Sequence, residues 1–157
     1  MGIEIERKFT VDPTLLRLDK GTHIKQGYLP SANQTAMRIR IADQRAFLTI
    51  KGANKGAIRS EFEYPIPISD AHQIIDELCQ RPFIEKKRYI VNVAGNQWEI
   101  DVFEGDNRGL VMAEIELESE SQQVEIPSWA IKEVTGDPRY YNSNLIRNPY
   151  KDWIDTV

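Results

Sequence analysis

Charged side chains recur at two-residue spacing along this sequence. Carboxylates come as Glu4-x-Glu6, Glu61-x-Glu63, Glu99-x-Asp101 and Glu114-x-Glu116, the last continued by Glu118. Cations come as Arg38-x-Arg40 and Lys86-x-Arg88, with Lys8 following the first carboxylate pair and Lys51 standing in Thr49-x-Lys51. Guanidinium and ammonium groups neutralise polyanions, and Arg grips phosphate oxygens through a planar fork. Clustered carboxylates repel one another unless a divalent cation joins them, and hard oxygen donors suit Mg²⁺ or Mn²⁺. A β-strand alternates its side chains between two faces, so each such pair lies on one face. A single Glu-Ile-Glu-Arg-Lys stretch is most simply a solvated sheet face with cross-strand salt bridges. Its return in strand after strand argues for a shared charged surface.

The elements that must position these residues read as about eight strands with short connections. The first covers Glu4 to Phe9, with Ile3, Ile5 and Phe9 opposite its charges. Asp12-Pro13 reads as an N-cap and first helical residue of a short helix through Leu15, Leu16 and Leu18. Strands follow at 23–29, 35–41 and 45–51, the last two joined by a turn at Asp43-Gln44. Gly52-Ala53-Asn54-Lys55-Gly56 lacks the Gly-Lys-Ser/Thr ending of a phosphate-binding loop and reads as a hairpin connection. A strand at 59–66 is followed by a helix that Ser69 caps, with Ala71, Ile74, Ile75 and Leu78 as its apolar stripe. His72 falls off that stripe. Cys79 lies beside it as a small hydrophobe with nothing to activate a thiolate. Strands at 85–93 and 97–103 flank a turn at Gly95-Asn96, and another spans 110–120. Pro127 to Val134 reads as a short helix, and the tail bearing Tyr140, Tyr141, Leu145, Ile146 and Trp153 as helical packing.

Composition narrows the class. The chain of 157 residues, 41% hydrophobic and 28% charged, fits one globular domain over 1–157. A net charge of -4 gives no basic footprint for nucleic acid. One cysteine makes no internal disulfide, which places the chain in a reducing cytoplasm. No apolar run has membrane-spanning length, the charged N-terminus lacks a signal-peptide core, and Glu6 stands where a myristoylation motif needs Ser or Thr.

Hairpin-linked strands with one charged and one apolar face pose a choice, because a small barrel normally turns its apolar face inward. Here the amphipathic helices need the apolar faces, so the charged faces line a tunnel. Unpaired buried ions cost several kcal/mol each, so the interior must be wet, mutually paired or filled by a charged ligand. A polyphosphate with divalent metal satisfies both sets of charges.

The ordered set Glu4-Ile5-Glu6-Arg7-Lys8, Arg38-x-Arg40, Thr49-x-Lys51, Glu61-x-Glu63, Lys86-x-Arg88, Glu99-x-Asp101 and Glu114-x-Glu116 resembles the CYTH superfamily, the triphosphate tunnel metalloenzymes. The resemblance runs from residue 4 to about 118, with the region around Tyr140 similar to the closing tail. It implies a mainly β (α+β) fold: a closed eight-stranded antiparallel β-barrel tunnel with a charged interior and helices packed outside. It implies metal-dependent hydrolysis of inorganic triphosphate, or of a nucleoside or thiamine triphosphate, with Mg²⁺ or Mn²⁺ and a possible homodimer. The alternatives are a class IV-type adenylate cyclase and a non-catalytic polyphosphate-binding module. Lys8, Arg38, Arg40, Lys51, Lys86 and Arg88 are expected to hold phosphates. Glu4, Glu6, Glu114 and Glu116 are the first metal ligands, and Glu61, Glu63, Glu99 and Asp101 serve a second ion or orient water. Glu4, Glu6, Lys8, Arg40, Lys51 and Glu63 form the expected catalytic set. A one-residue slip near Lys86–Arg88 would send Lys87 inward instead of Lys86.

Overall fold

The computed structural model describes residues 2–153. Nine strands run in chain order as β1 (Ile3–Val11), β2 (Thr22–Leu29), β3 (Ala36–Ala42), β4 (Arg45–Lys51), β5 (Ile58–Ile66), β6 (Ile84–Val93), β7 (Asn96–Phe103), β8 (Val111–Glu116) and β9 (Ala130–Glu133). They pair in the order β5-β4-β3-β2-β6-β7-β8-β1-β9, and β5 also pairs with β1. The first eight strands therefore close into an antiparallel barrel. Two-residue loops hold the hairpins tight: Asp43 has φ of 53° between Ala42 and Arg45. Ala94 and Gly95, at φ of 52° and 81°, join Val93 to Asn96. That left-handed pair is the turn that matches strand twist, so the turn lies one residue earlier than Gly95-Asn96.

β1 is shared along one edge. Its start, Ile3 to Ile5, pairs with β5, while Phe9 to Val11 pair with β9. β5 begins at Ile58, which leaves backbone groups of β1 beyond Ile5 needing partners. The 127–134 segment answers that need as a strand, not the expected helix: Val134 N donates to Lys8 O at 2.8 Å, and Asp12 N to Trp129 O at 3.0 Å.

The outward strand faces are apolar and mostly covered, with Ile3, Phe62 and Tyr64 left exposed. The helix α1 (Ile68–Leu78) packs Ala71 and Ile75 onto Ile39, Ile41 and Ala46. Pro67 precedes it without a side-chain cap, so Ser69 lies inside the helix, and Leu78 is exposed. On the other side Trp98 packs edge-on against Phe9 and Trp129 at centroid distances of 5.5 and 5.4 Å. Leu16 and Leu18 join that cluster. Their segment is a single 3-10 turn at Pro13–Leu15 followed by extended chain, because Asp12 caps only Thr14 N. Helices cover one side of the barrel and extended segments the other. β8 ends at Glu116, and Glu118 beyond it is exposed, its backbone N donating to Gln122 Oε1 at 2.7 Å.

One end of the barrel is stoppered. Tyr28, Ile84, Phe103, Leu110 and Met112 cluster with Tyr140, Leu145, Ile146 and Trp153 of the tail. The tail is helical only in short turns, including α2 (Asn142–Leu145). Among the described residues, no helix is long and apolar enough to cross a membrane.

Candidate active site

Above this apolar stopper the barrel encloses a cavity of about 190 Å³. Register puts the charges there. Lys8 stands opposite Glu114, Glu6 opposite Glu116, Arg88 opposite Asp101, Lys51 opposite Glu61 and Arg59 opposite Glu4. Cross-strand neighbours share a face, so one inward residue on each strand carries all its i+2 companions with it. All six expected cations line the cavity, together with Glu4, Glu6, Glu61, Glu63, Glu99, Glu114 and Glu116. Lys86 enters, at 1% exposure, while Lys87 is exposed outside.

The cations are held by a connected frame. Arg88 grips Asp101 through both oxygens, Nε to Oδ1 at 2.8 Å and Nη2 to Oδ2 at 2.9 Å. Lys86 Nζ lies 2.7 Å from Asp101 Oδ2 and donates to Asn142 Oδ1 at 2.9 Å. Gln26 Nε2 donates to the same Asn142 oxygen at 3.2 Å, and Gln26 Oε1 accepts from Arg40 Nε at 2.9 Å. Burial pushes Lys86 down to about 7, assisted by the Arg88 and Arg40 charges and opposed by Asp101. Burial, then Arg38 and Arg88, lower Arg40 to about 9. Burial opposes the Asp101 carboxylate, yet Lys86 and Arg88 hold it well below the usual range. The set is thus poised to accept anionic charge, since an arriving phosphate restores what burial withholds.

The carboxylates form two groups. Lys51 Nζ bridges Glu4, at 3.1 and 3.2 Å, to Glu61 at 3.3 Å. Thr49 Oγ1 donates to Glu63 at 2.8 Å and accepts from Arg38 Nη2 at 3.1 Å. Arg38 Nε is buried without a hydrogen-bond partner in the protein, a donor available to an anion in the cavity. Deeper, burial and the neighbouring Glu114 and Glu4 raise Glu6 well above the carboxylate range. Glu114 goes the other way: against burial, Lys8 and a hydrogen bond from Glu6 hold it well below. A carboxyl held above its usual range beside one held below it is a hard-oxygen donor pair whose repulsion a cation would relieve. Glu4, Glu6, Glu114 and Glu116 offer hard-oxygen donors of the kind a divalent metal takes, while the trio whose ligand atoms lie within 4.8 Å of one another among the described residues is His23, Glu85 and Glu104. Asp101, also expected among the ligands, is placed otherwise. It does not line the cavity, and both its oxygens are committed to Lys86 and Arg88.

Several lining residues escaped the sequence reading. Arg59 shares the parity of Glu61 and Glu63, so strand alternation alone could have found it. Tyr28, which lines the cavity, and Gln26, which holds Arg40 behind it, follow from β2 pairing with β3 opposite Arg38 and Arg40, which needs the sheet order. Tyr141, Asn142 and Ser143 come from the tail and carry no periodic signal. Tyr141 lies under Lys8 and Arg59, its ring centroid 5.8 and 5.9 Å from their charges, and its hydroxyl accepts from Asn54 at 2.8 Å.

An inorganic triphosphatase of Acetivibrio thermocellus is 46% identical over 154 residues, covering 98% of this chain and 99% of that one. An inorganic triphosphatase of Nitrosomonas europaea is 32% identical, covering 90% and 95%. The crystal structure of the inorganic triphosphatase NE1496 superposes with a TM-score of 0.64 at 31% identity, covering 91% of this chain and 93% of that one. The CYTH domain model matches residues 2–147, which spans the whole barrel and the Tyr141–Ser143 insertion into its cavity, and the chain belongs to the CYTH domain family.

Proposed function

We propose that this protein hydrolyses inorganic triphosphate with a divalent metal, working as one domain. The observation that carries the reading is the closed chamber in which Lys8, Arg38, Arg40, Lys51, Lys86 and Arg88 face seven glutamates. The 46% identity to a named inorganic triphosphatase supports it. The six cations bind the phosphate chain and stabilise charge on the terminal phosphoryl oxygens as the P–O bond breaks. Arg88 and Lys86 act from fixed positions, because Asp101 and Asn142 hold them before substrate arrives. Glu4, Glu6, Glu114 and Glu116 would hold Mg²⁺ or Mn²⁺, which would supply Lewis-acid neutralisation of the phosphoryl oxygens. Glu61, Glu63 and Glu99 orient the attacking water, which arrives in line with the departing pyrophosphate. Burial of Lys86 and Asp101, at 1% exposure each, strengthens the charge interactions at that end of the cavity.

Nucleoside and thiamine triphosphates are the further substrates of this reading, and the cytoplasm its location. The outward Ile3, Phe62 and Tyr64 are exposed and give a self-association surface for a homodimer. The test is phosphate release from triphosphate, ATP and thiamine triphosphate, with Mg²⁺, Mn²⁺ or chelator, with cyclic AMP measured in the ATP reaction. Metal-dependent release from triphosphate that is lost in Glu4→Gln and Arg40→Ala is the expected result. Cyclic AMP formation would replace it with cyclase chemistry, and metal-dependent binding without turnover would reduce the protein to a binding module.

A further inference from the structure

On the outer wall of the barrel, an imidazole and two carboxylates converge from three neighbouring strands. His23 lies in β2, Glu85 in β6 and Glu104 directly after β7, with β6 running between the other two. Strand alternation aims them outward: Ile24 and Lys86, beside His23 and Glu85, are buried. None of the three lines the chamber. Backbone pairing fixes where they stand, since Glu104 N donates to Glu85 O at 3.0 Å and Asp43 N to His23 O at 3.4 Å. One ring nitrogen of His23 and one oxygen of each glutamate lie within 4.8 Å of one another, and His23 Nε2 is 3.7 Å from Glu104 Oε1. Zinc bonds of about 2.1 Å in a tetrahedron set ligand atoms about 3.4 Å apart, a spacing that small rotations of these side chains reach.

The charges at this wall also call for a cation. Two adjacent carboxylates repel, and ammonium groups stand nearby, Lys25 opposite Glu85 and Lys87 opposite His23. Lys25 instead lies over the Phe83 ring, 4.9 Å from its centroid. Among the described residues, Glu104 has His23 as its ion-pair partner, and no lysine or arginine pairs with either glutamate.

We propose that His23, Glu85 and Glu104 form a surface site for a divalent transition metal of the Zn²⁺ class, a clip that ties β2 to β7 across β6. The imidazole sets this site apart from the chamber, because a ring nitrogen suits Zn²⁺ whereas oxygen donors alone suit Mg²⁺ or Mn²⁺. Three protein ligands leave a fourth tetrahedral position for water. The role is structural: the inner faces of the same strands carry Lys86, Arg88 and Asp101, so the clip braces the cation frame from behind. The inference stands apart from the triphosphatase reading, because no step of it involves substrate.

The experiment titrates Zn²⁺ into the full chain in excess Mg²⁺, using the wild type, His23→Gln and Glu104→Gln. Any uptake by the chamber is common to all three proteins, so the differences between them read the outer site. By calorimetry, the wild type is expected to take up one Zn²⁺ per chain that each variant binds at least about tenfold more weakly. Changes merely beside a metal ligand already cost about 10–100-fold. Zn²⁺ should also raise the thermal midpoint of the wild type more than that of His23→Gln, since it stabilises only the state that binds it. A further readout needs no variant, because the chain has two histidines and the other, His72, lies on α1. Zn²⁺ is expected to shift the ring resonances of His23 and leave those of His72 in place. Equal Zn²⁺ binding by the three proteins, or His23 resonances that stay put as Zn²⁺ binds, overturns the site.

Discussion

The side-chain carbonyl of Asn142 accepts a hydrogen bond from the Lys86 ammonium at 2.9 Å, inside the barrel. Through Gln26 the same oxygen steadies Arg40, and through Lys86 it meets the Asp101–Arg88 pair. One amide on the C-terminal tail therefore helps to aim three of the phosphate-binding cations. Hydrogen bonds to charged groups contribute about 1.5–3 kcal/mol. Asn142→Ala is expected to lower kcat/KM for triphosphate by about tenfold or more, with little change in the thermal midpoint. Steady-state kinetics beside a melting curve check this, and wild-type kcat/KM in the variant would remove Asn142 from the site.

Asp101 is the counter-ion of two buried cations, at 1% exposure. Asp101→Asn leaves buried Lys86 without its carboxylate and Arg88 with Glu99 alone, at 3.4 Å; breaking a comparable buried pair costs about 3–5 kcal/mol. Urea titration at pH 7 reads that loss. Because the folded carboxylate is held below its ordinary value of 3.8, its contribution is fully present above that value. It disappears as pH falls through the lower folded value. The gap between wild type and Asp101→Asn should therefore narrow only in strong acid; a gap that closes near neutrality would assign the stabilisation elsewhere.

The alternation of charge was legible because a strand obeys a period of two, so Glu4, Glu6 and Lys8 had to share a face. The closed barrel followed from asking where the apolar faces of Phe9, Trp98 and Ile115 could go. What stayed hidden depends on distant pairing. Nothing around Ala130 announces a strand, since its pairing is imposed by the uncovered edge of β1 at Phe9–Val11. Asn142 and Tyr141 reach the site only because Leu145 and Ile146 anchor the tail in the barrel's apolar end. Asp101 read as a metal ligand because spacing cannot tell a carboxylate facing the cavity from one already gripped by Arg88 and Lys86.

Lys86 gives the anion site a pH dependence with a definite sign. Burial brings its pKa to about 7 in the free protein, and a bound phosphate raises it by favouring the ammonium. Triphosphate affinity is therefore full below about pH 7 and declines above it, as binding must take up a proton. Lys86→Arg keeps its charge over this range and should flatten the decline. Calorimetric titration at pH 6, 7 and 8 in buffers of different ionisation enthalpy measures the proton uptake. Equal slopes for the two proteins would show that another group controls it.

Leu145 separates anchoring of the tail from its chemistry. It is 0% exposed, packed in the cluster that stoppers the barrel, three residues after Asn142. Leu145→Ala removes buried methyl groups and leaves a cavity, at a cost of about 2–5 kcal/mol. The frame of Asn142, Gln26, Lys86 and Asp101 is untouched by that truncation while the protein stays folded. The variant should therefore unfold at lower urea yet retain kcat/KM near wild type, well below the melting range. Asn142→Ala should show the converse, impaired turnover with nearly normal stability. If Leu145→Ala instead loses activity in proportion to Asn142→Ala while still folded, the apolar stopper and the cation frame move as one unit. Tail docking would then set the geometry of the anion site directly.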